Sequence, residues 1–233
     1  MISQASQFKL MDRGFKRNIV LIPGWATDRR IFGSLELDYN YILPEKLNPF
    51  GFNAGLSLVL NKNSINRISL FGWSLGGFLA VDFALKNPDR IDEVILLGIR
   101  KRFDSKTLKN VRRKLKESKK AYLYKFYLEC FSGAEKKELS WFRKHLLRDY
   151  LRKMSTEDLI SGLDYFSKAH IDIKTLASIK NLRVFHGSAD RIAPVKEIEE
   201  IKSSLTNQKF IIMPDAGHMP FLNHNFLERF KDG

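Results

Sequence analysis

Three short runs of nearly unbroken apolar residues constrain this chain most: "NIVLIPGW" (18–25), "INRISLFGW" (65–73) and "IDEVILLGI" (91–99). A strand without polar alternation has to be covered on both faces, as parallel strands are when helices cross over them. "YNYILP" (39–44), "NLRVFHGSAD" (181–190) and "QKFIIMPDAGH" (208–218) extend the pattern. Helices fall between the strands. In "SLGGFLAVDFALKNPDR", Leu75, Phe78, Leu79, Phe83 and Leu85 recur near helical spacing until Asn87-Pro88 stops the helix. "PVKEIEEIKSSL" opens on proline, as a helix start tolerates, and "PFLNHNFLERF" reads as a short closing helix. Residues 100–170 lack the strand pattern and read as helices, with Leu108, Val111, Leu115, Tyr122, Phe126 and Phe131 among many charges. The expected fold is α/β: a mostly parallel, doubly wound sheet with a helical insertion after its middle strand. Residues 1–99 and 171–233 would form the core, and 100–170 a strongly basic cap.

A chain of 233 residues suffices for one sizeable core. No run approaches the roughly 18 apolar residues that span a bilayer. The opening "MISQASQFKLMDRGFKR" has no apolar stretch of signal-peptide length. The single cysteine, Cys130, cannot form an internal disulfide and reads as a small buried hydrophobe, so a cytoplasmic location is expected. The histidines and Cys130 show no metal-ligand spacing, and no metal or other cofactor is expected.

The charge is unevenly spread. Arg100 to Lys153 holds 19 Lys/Arg against six Asp/Glu, whereas the rest of the chain holds 21 against 20. Of the chain's net charge of +14, +13 lies in this one segment, a local positive field suited to an acidic partner. A solvated helical surface is the competing explanation. Nucleic acid is a weaker candidate, because no recognisable nucleic-acid module is present.

Gly72-Trp73-Ser74-Leu75-Gly76 fits G-x-S-x-G and falls between a predicted strand and a predicted helix. Flanking glycines permit a sharp turn that exposes the Ser74 hydroxyl at its tip. Such a hydroxyl is a weak nucleophile and needs a base, which in turn needs an orienting acid. Of the five histidines, His218 sits in a glycine-bearing loop directly after a strand and is the candidate base; His186 and His224 are expected in packing or loop roles. Asp190, at the end of "FHGSAD", is the candidate acid, with Asp215 ranked below it. The N–H of Leu75 and that of Trp25, in "IPGWATD", are the candidate oxyanion donors, and the Trp25 indole can line an acyl pocket.

The order Ser74, Asp190, His218 resembles that of the α/β-hydrolase superfamily, over about residues 18–230. The similarity is greatest to the pimeloyl-acyl-carrier-protein methyl ester esterases of biotin synthesis. "IPGWATDRRIF" resembles their oxyanion loop, "FGWSLGG" their nucleophile elbow, and "HGSADRIAP" and "AGHMPFLNH" their acid and histidine loops. The resemblance implies a cap whose basic residues dock an acidic acyl carrier protein. Arg143, Lys144, Arg148 and Arg152 are candidate contacts, and Phe126, Phe131 and Phe142 would face the acyl chain unless they serve as cap core. Two departures concern substrate shape: Pro23 replaces the usual histidine before the loop glycine, and "PEKLNPFGFNAG" replaces a Pro-Gly-x-Gly-x-Ser loop. The implied activity is that of a serine carboxylesterase, acting as a monomer on the methyl ester of a carrier-bound acyl chain. A general short-chain esterase or thioesterase, and a non-catalytic binding protein on this fold, are the alternatives.

Overall fold

The structure is a computed structural model that describes residues 8–205 and 208–232. Residues 1–7 of the stretch read for a leader lie outside the described residues. Seven strands form one sheet in the order β1-β3-β2-β4-β5-β6-β7. They are β1 (Phe8–Met11), β2 (Asn18–Ile22), β3 (Asn40–Pro44), β4 (Ile68–Trp73), β5 (Ile91–Leu97), β6 (Leu182–Gly187) and β7 (Lys209–Met213). Only β1 runs antiparallel, against β3; the remaining pairs are parallel. Every residue of the central β4 is buried, as the apolar runs require of a sheet covered on both faces.

Around the sheet lie α1 (Phe52–Lys62), α2 (Leu75–Lys86), α8 (Val195–Ser203) and α9 (Phe226–Asp232). Between β5 and β6 the chain leaves the sheet for α3 (Ser105–Glu129), α4 (Lys136–Phe142), α5 (Arg148–Lys153), α6 (Thr156–Phe166) and α7 (Ile173–Ala177). A π-helical stretch, Arg143–Leu147, joins α4 to α5. We call α3–α6 the cap. Asp104 caps the start of α3 by accepting the Thr107 N–H, and the helix breaks at Ser118, whose backbone is extended. The break gives the two halves of α3 different directions, and both reach the cavity described below. The sequence pattern did not reveal β1, nor the break in α3.

Register aligns the strand ends that matter. Ile22 pairs with Gly72, Trp73 with Leu97, Leu97 with Phe185 and Gly187 with Met213. The loops after β2, β4, β5, β6 and β7 therefore emerge along one edge, where ligands of open α/β sheets bind. Close packing of α2 on this edge depends on glycine. A Cβ on Gly76 would lie 2.1 Å from the Ile22 carbonyl oxygen, and one on Gly72 2.4 Å from that of Gly76. Since that contact is backbone to backbone, Gly76→Ala is expected to destabilise the fold by about 3 kcal/mol, read as a lower urea midpoint at unchanged m-value. An unchanged midpoint would show that β2 and α2 can separate at no cost.

Candidate active site

Ser74 occupies the turn between β4 and α2 with φ 53° and ψ −113°, a left-handed backbone that a side chain adopts only when its surroundings enforce it. The enforcement is visible. The Ser74 N–H donates to the Leu97 carbonyl at 2.9 Å, and the Gly77 N–H closes the turn on the Ser74 carbonyl at 2.9 Å. The side chain is 7% exposed and lines a cavity of about 320 Å³. Trp25, Leu108, Val111, Phe126, Leu163 and Phe166 supply apolar wall, with Arg100, Glu129 and Arg191 among its polar residues.

Asp190 and His218 meet at the same edge. The His218 Nδ1 lies 2.8 Å from Asp190 Oδ2, while Asp190 Oδ1 accepts the N–H groups of Ile192 and Ala193, each at 2.8 Å. Burial disfavours the Asp190 charge, but His218, His186 and the Ala193 N–H outweigh it and hold the carboxyl below its ordinary value. With Nδ1–H donated to the carboxylate, His218 Nε2 is left as the free ring nitrogen; it is buried and has no hydrogen-bond partner among the described residues. This histidine packs against the ends of β4 and β5. Trp73 Nε1–H donates to the His218 carbonyl at 2.7 Å, and a Cβ on Gly98 would lie 2.8 Å from that same oxygen.

Asp215, the lower-ranked acid, is exposed with φ 57°. Its N–H donates to Ser188 Oγ at 2.9 Å, so it serves the turn after β7 rather than the histidine. His186 lies below the acid loop and bonds the Ala193 carbonyl at 2.7 Å through Nε2. Trp25 packs edge-on against Phe126, and its Nε1–H donates to the Leu159 carbonyl of α6 at 2.9 Å. No backbone carbonyl among the described residues accepts the N–H of Trp25 or of Leu75. Leu75 is the first residue of α2, where amides and the helix dipole favour negative charge, and Trp25 lines the cavity together with Ser74.

An α/β-hydrolase family model, described as the alpha/beta hydrolase fold, matches residues 44–225. This chain belongs to the α/β-hydrolase fold family. A pimeloyl-[acyl-carrier protein] methyl ester esterase of Wigglesworthia glossinidia brevipalpis is 28% identical over 90% of this chain and 90% of that protein. One of the same name from Nitrosomonas europaea is 27% identical over 70% of this chain and 68% of that protein. Among solved structures, the bromoperoxidase of Bacillus anthracis matches with TM-score 0.78 at 19% identity, covering 97% of this chain and 92% of that one. The enol-lactonase of Burkholderia xenovorans LB400 does so with TM-score 0.77 at 19% identity, covering 97% and 93%. These two likenesses speak to the fold alone.

The cap of this α/β-hydrolase divides the expected aromatics. Phe126 lines the cavity. Phe131 and Phe142 do not: Phe131 packs on Phe142, and Phe142 on Tyr127 and Tyr150. These two rings belong to the cap's own core, the alternative weighed for them in the sequence. Tyr122 lines the cavity instead, with a hydroxyl pushed up to about 12 by burial. Arg143, Lys144, Arg148 and Arg152 are all exposed, and none has an acidic partner among the described residues. Cys130 is buried, which pushes its thiol pKa up. Glu135, which the sequence did not single out, is 3% exposed in the turn before α4. Burial raises its pKa, against the N–H groups of Ser132 and Gly217 that accommodate its charge.

His186 gives the site a pH signature. Burial lowers its pKa below the ordinary value of 6.5, against the pull of Asp190 and the Ala193 carbonyl. The unfolded chain therefore binds a proton that the folded protein refuses, and stability falls as pH drops below about 6.5 until the lower folded pKa is reached. Asp190 adds a further loss as pH falls through 3.8 towards its depressed value. The raised carboxyl of Glu135 works in the opposite sense, relieving a cost as it protonates. Urea midpoints taken from about pH 7.5 to about pH 5 are expected to slope less steeply in His186→Phe than in the parent. Equal slopes would assign the pH dependence to other groups.

Proposed function

We propose that this α/β-hydrolase is a serine carboxylesterase that cleaves the methyl ester of an acyl chain carried by an acidic acyl carrier protein. The observation that carries the chemistry is the buried Asp190–His218 pair, its Nε2 unpartnered, at the same end of the sheet as a serine held at a left-handed turn over a largely apolar cavity. Ser74 Oγ attacks the ester carbonyl as His218 Nε2 takes its proton. The oxyanion that forms is bound by the N–H groups of Trp25 and Leu75. Collapse expels methanol, protonated by His218, and leaves an acyl-serine. Water, deprotonated by the same imidazole, attacks that ester and releases the free acid, restoring the Ser74 hydroxyl. Asp190 holds the tautomer and stabilises the imidazolium at each step.

The substrate class rests on two supports. The relatives named above are called pimeloyl-[acyl-carrier protein] methyl ester esterases, and the cap carries unpaired cations on its outer surface. Lys144, Arg148 and Arg152 follow one another at intervals of four residues through the π-helical stretch and α5, a spacing that brings side chains onto a common side of a helix, and Arg143 adjoins the first of them. A carrier rich in carboxylates would meet that side without displacing existing ion pairs, and its encounter would be accelerated and salt-sensitive.

The test is hydrolysis of methyl pimeloyl-carrier protein beside free methyl pimelate at low and high salt, with Ser74→Ala as the blank. Ser74→Ala is expected to lose about 10³-fold or more in kcat while keeping its fold. Reversing two of the cap charges, as Arg148→Glu with Arg152→Glu, is expected to raise KM for the carrier-bound ester and leave the free ester unaffected. Equal, salt-indifferent rates on both esters would reassign the protein as a general esterase, and full activity in Ser74→Ala would refute the serine mechanism.

A further inference from the structure

The loop that carries His218 is held from two sides. Asp190 orients the ring, but the backbone of residues 215–218 is held by the cap. The His218 N–H donates to the Cys130 carbonyl at 2.8 Å, and Ser132 Oγ–H donates to the Asp215 carbonyl. Between these two bonds stands Glu135. Its Oε2 accepts the Ser132 N–H at 2.8 Å and the Gly217 N–H at 2.9 Å, joining the turn between α3 and α4 to the residue immediately before the histidine. The approach is so close that a Cβ on Gly217 would lie 2.5 Å from the Cys130 carbonyl oxygen and 2.9 Å from Glu135 Oε2.

A carboxylate in this place is a costly choice. Glu135 is 3% exposed, and no lysine or arginine pairs with it among the described residues, although the cap has cations in excess. A buried carboxylate without a counter-ion persists only where hydrogen bonds to its charge replace the lost water. Here the two donors to Oε2 are backbone amides that belong to two different units; the Asn223 side chain also favours the charge, and Oε1 is buried with no hydrogen-bond partner among the described residues. Charge-assisted bonds of this kind are short and stiff, which suits an anchor whose displacement would move the imidazole.

We propose that Glu135 is a positioning residue for His218, a cap-borne carboxylate that fixes the histidine loop so that Nε2 faces Ser74. The inference rests on the serine-hydrolase reading given above. The cap is then part of the catalytic apparatus as well as a cover. Any opening that admits a large substrate leaves the α3–α4 turn in place and moves other parts of the cap. Truncating Glu135 would let the loop relax while the cavity walls, to which neither Glu135 nor residues 215–218 contribute, stay where they are. The loss therefore falls on kcat and leaves KM nearly unchanged.

Two readouts test this: phosphonylation of Ser74 by a fluorophosphonate probe, and kcat with KM on a p-nitrophenyl ester. The proteins are the parent, Glu135→Ala, Glu135→Gln, Glu117→Gln and Ser74→Ala. Glu117 is an exposed cap carboxylate paired with Arg113, so Glu117→Gln makes the same charge change elsewhere. Glu135→Ala is expected to slow phosphonylation and kcat by about 100-fold, the scale of a 1 Å misplacement, with KM within about two-fold. Glu135→Gln, which keeps an acceptor of the same shape, is expected to recover about ten-fold of that loss. Glu117→Gln should match the parent. The downfield Nδ1 proton resonance of His218 should broaden in Glu135→Ala and persist in Glu135→Gln. Parent-like phosphonylation of Glu135→Ala would overturn the role of Glu135 alone, as would a loss carried entirely by KM. If Glu135→Ala does not fold, Glu135→Gln decides: a clear slowing at unchanged melting temperature supports the role, and the parent rate overturns it. A parent protein that the probe does not label would overturn the serine chemistry and this role with it.

Discussion

The buried carboxylate of Asp190 is the constraint on which the rest of the site depends. Removing such a charge from water costs on the order of several kcal/mol even after relaxation, and here the cost is met by three N–H donors. Two come from the loop that follows β6 and one from the imidazole. The loop must therefore curl around its own aspartate, and His218 must present Nδ1 to it. With that nitrogen committed, Nε2 is the only ring atom left to face the serine turn. One charge thus dictates a loop conformation, a tautomer and an orientation.

The serine turn is positioned independently and meets this arrangement through its neighbour. Trp73 ends β4, lies over the His218 ring at 5.6 Å between centroids, and bonds the histidine carbonyl. Gly24 leaves no space for a side chain against the same indole, since a Cβ there would lie 2.9 Å from its ring carbons. The tryptophan in the elbow is therefore a structural hub that fixes the loop after β2 on one side and the histidine loop on the other. The cap joins the assembly through Trp25, whose indole is bonded to α6 and leaves no room for a Cβ on Gly162.

Much of this was legible in the sequence, for identifiable reasons. The central strands show because full burial disfavours polar residues, and the three candidate residues stand out because each follows an apolar run at a strand's end. β1 escaped notice because only Phe8 of its four residues is buried, leaving neither an apolar run nor an alternation to detect. Phe131 and Phe142 stood open between acyl pocket and cap core, because an apolar residue in a helix signals burial without saying what covers it. Tyr127 and Tyr150 cover it, from within the cap. Glu135 sits in "GAEKKELS", which reads as a solvated helix start. Its burial arises from the approach of the distant Gly217, and no local pattern encodes a contact across 82 positions.

The segregation of charge has a consequence for how the molecule turns as well as how it attracts. With a nearly neutral core and a strongly cationic segment inserted between β5 and β6, the protein is a permanent electric dipole. In the field of any polyanionic surface such a body experiences a torque before it makes contact. It arrives with the cap foremost, and the rotational part of its search is largely complete when the surfaces touch.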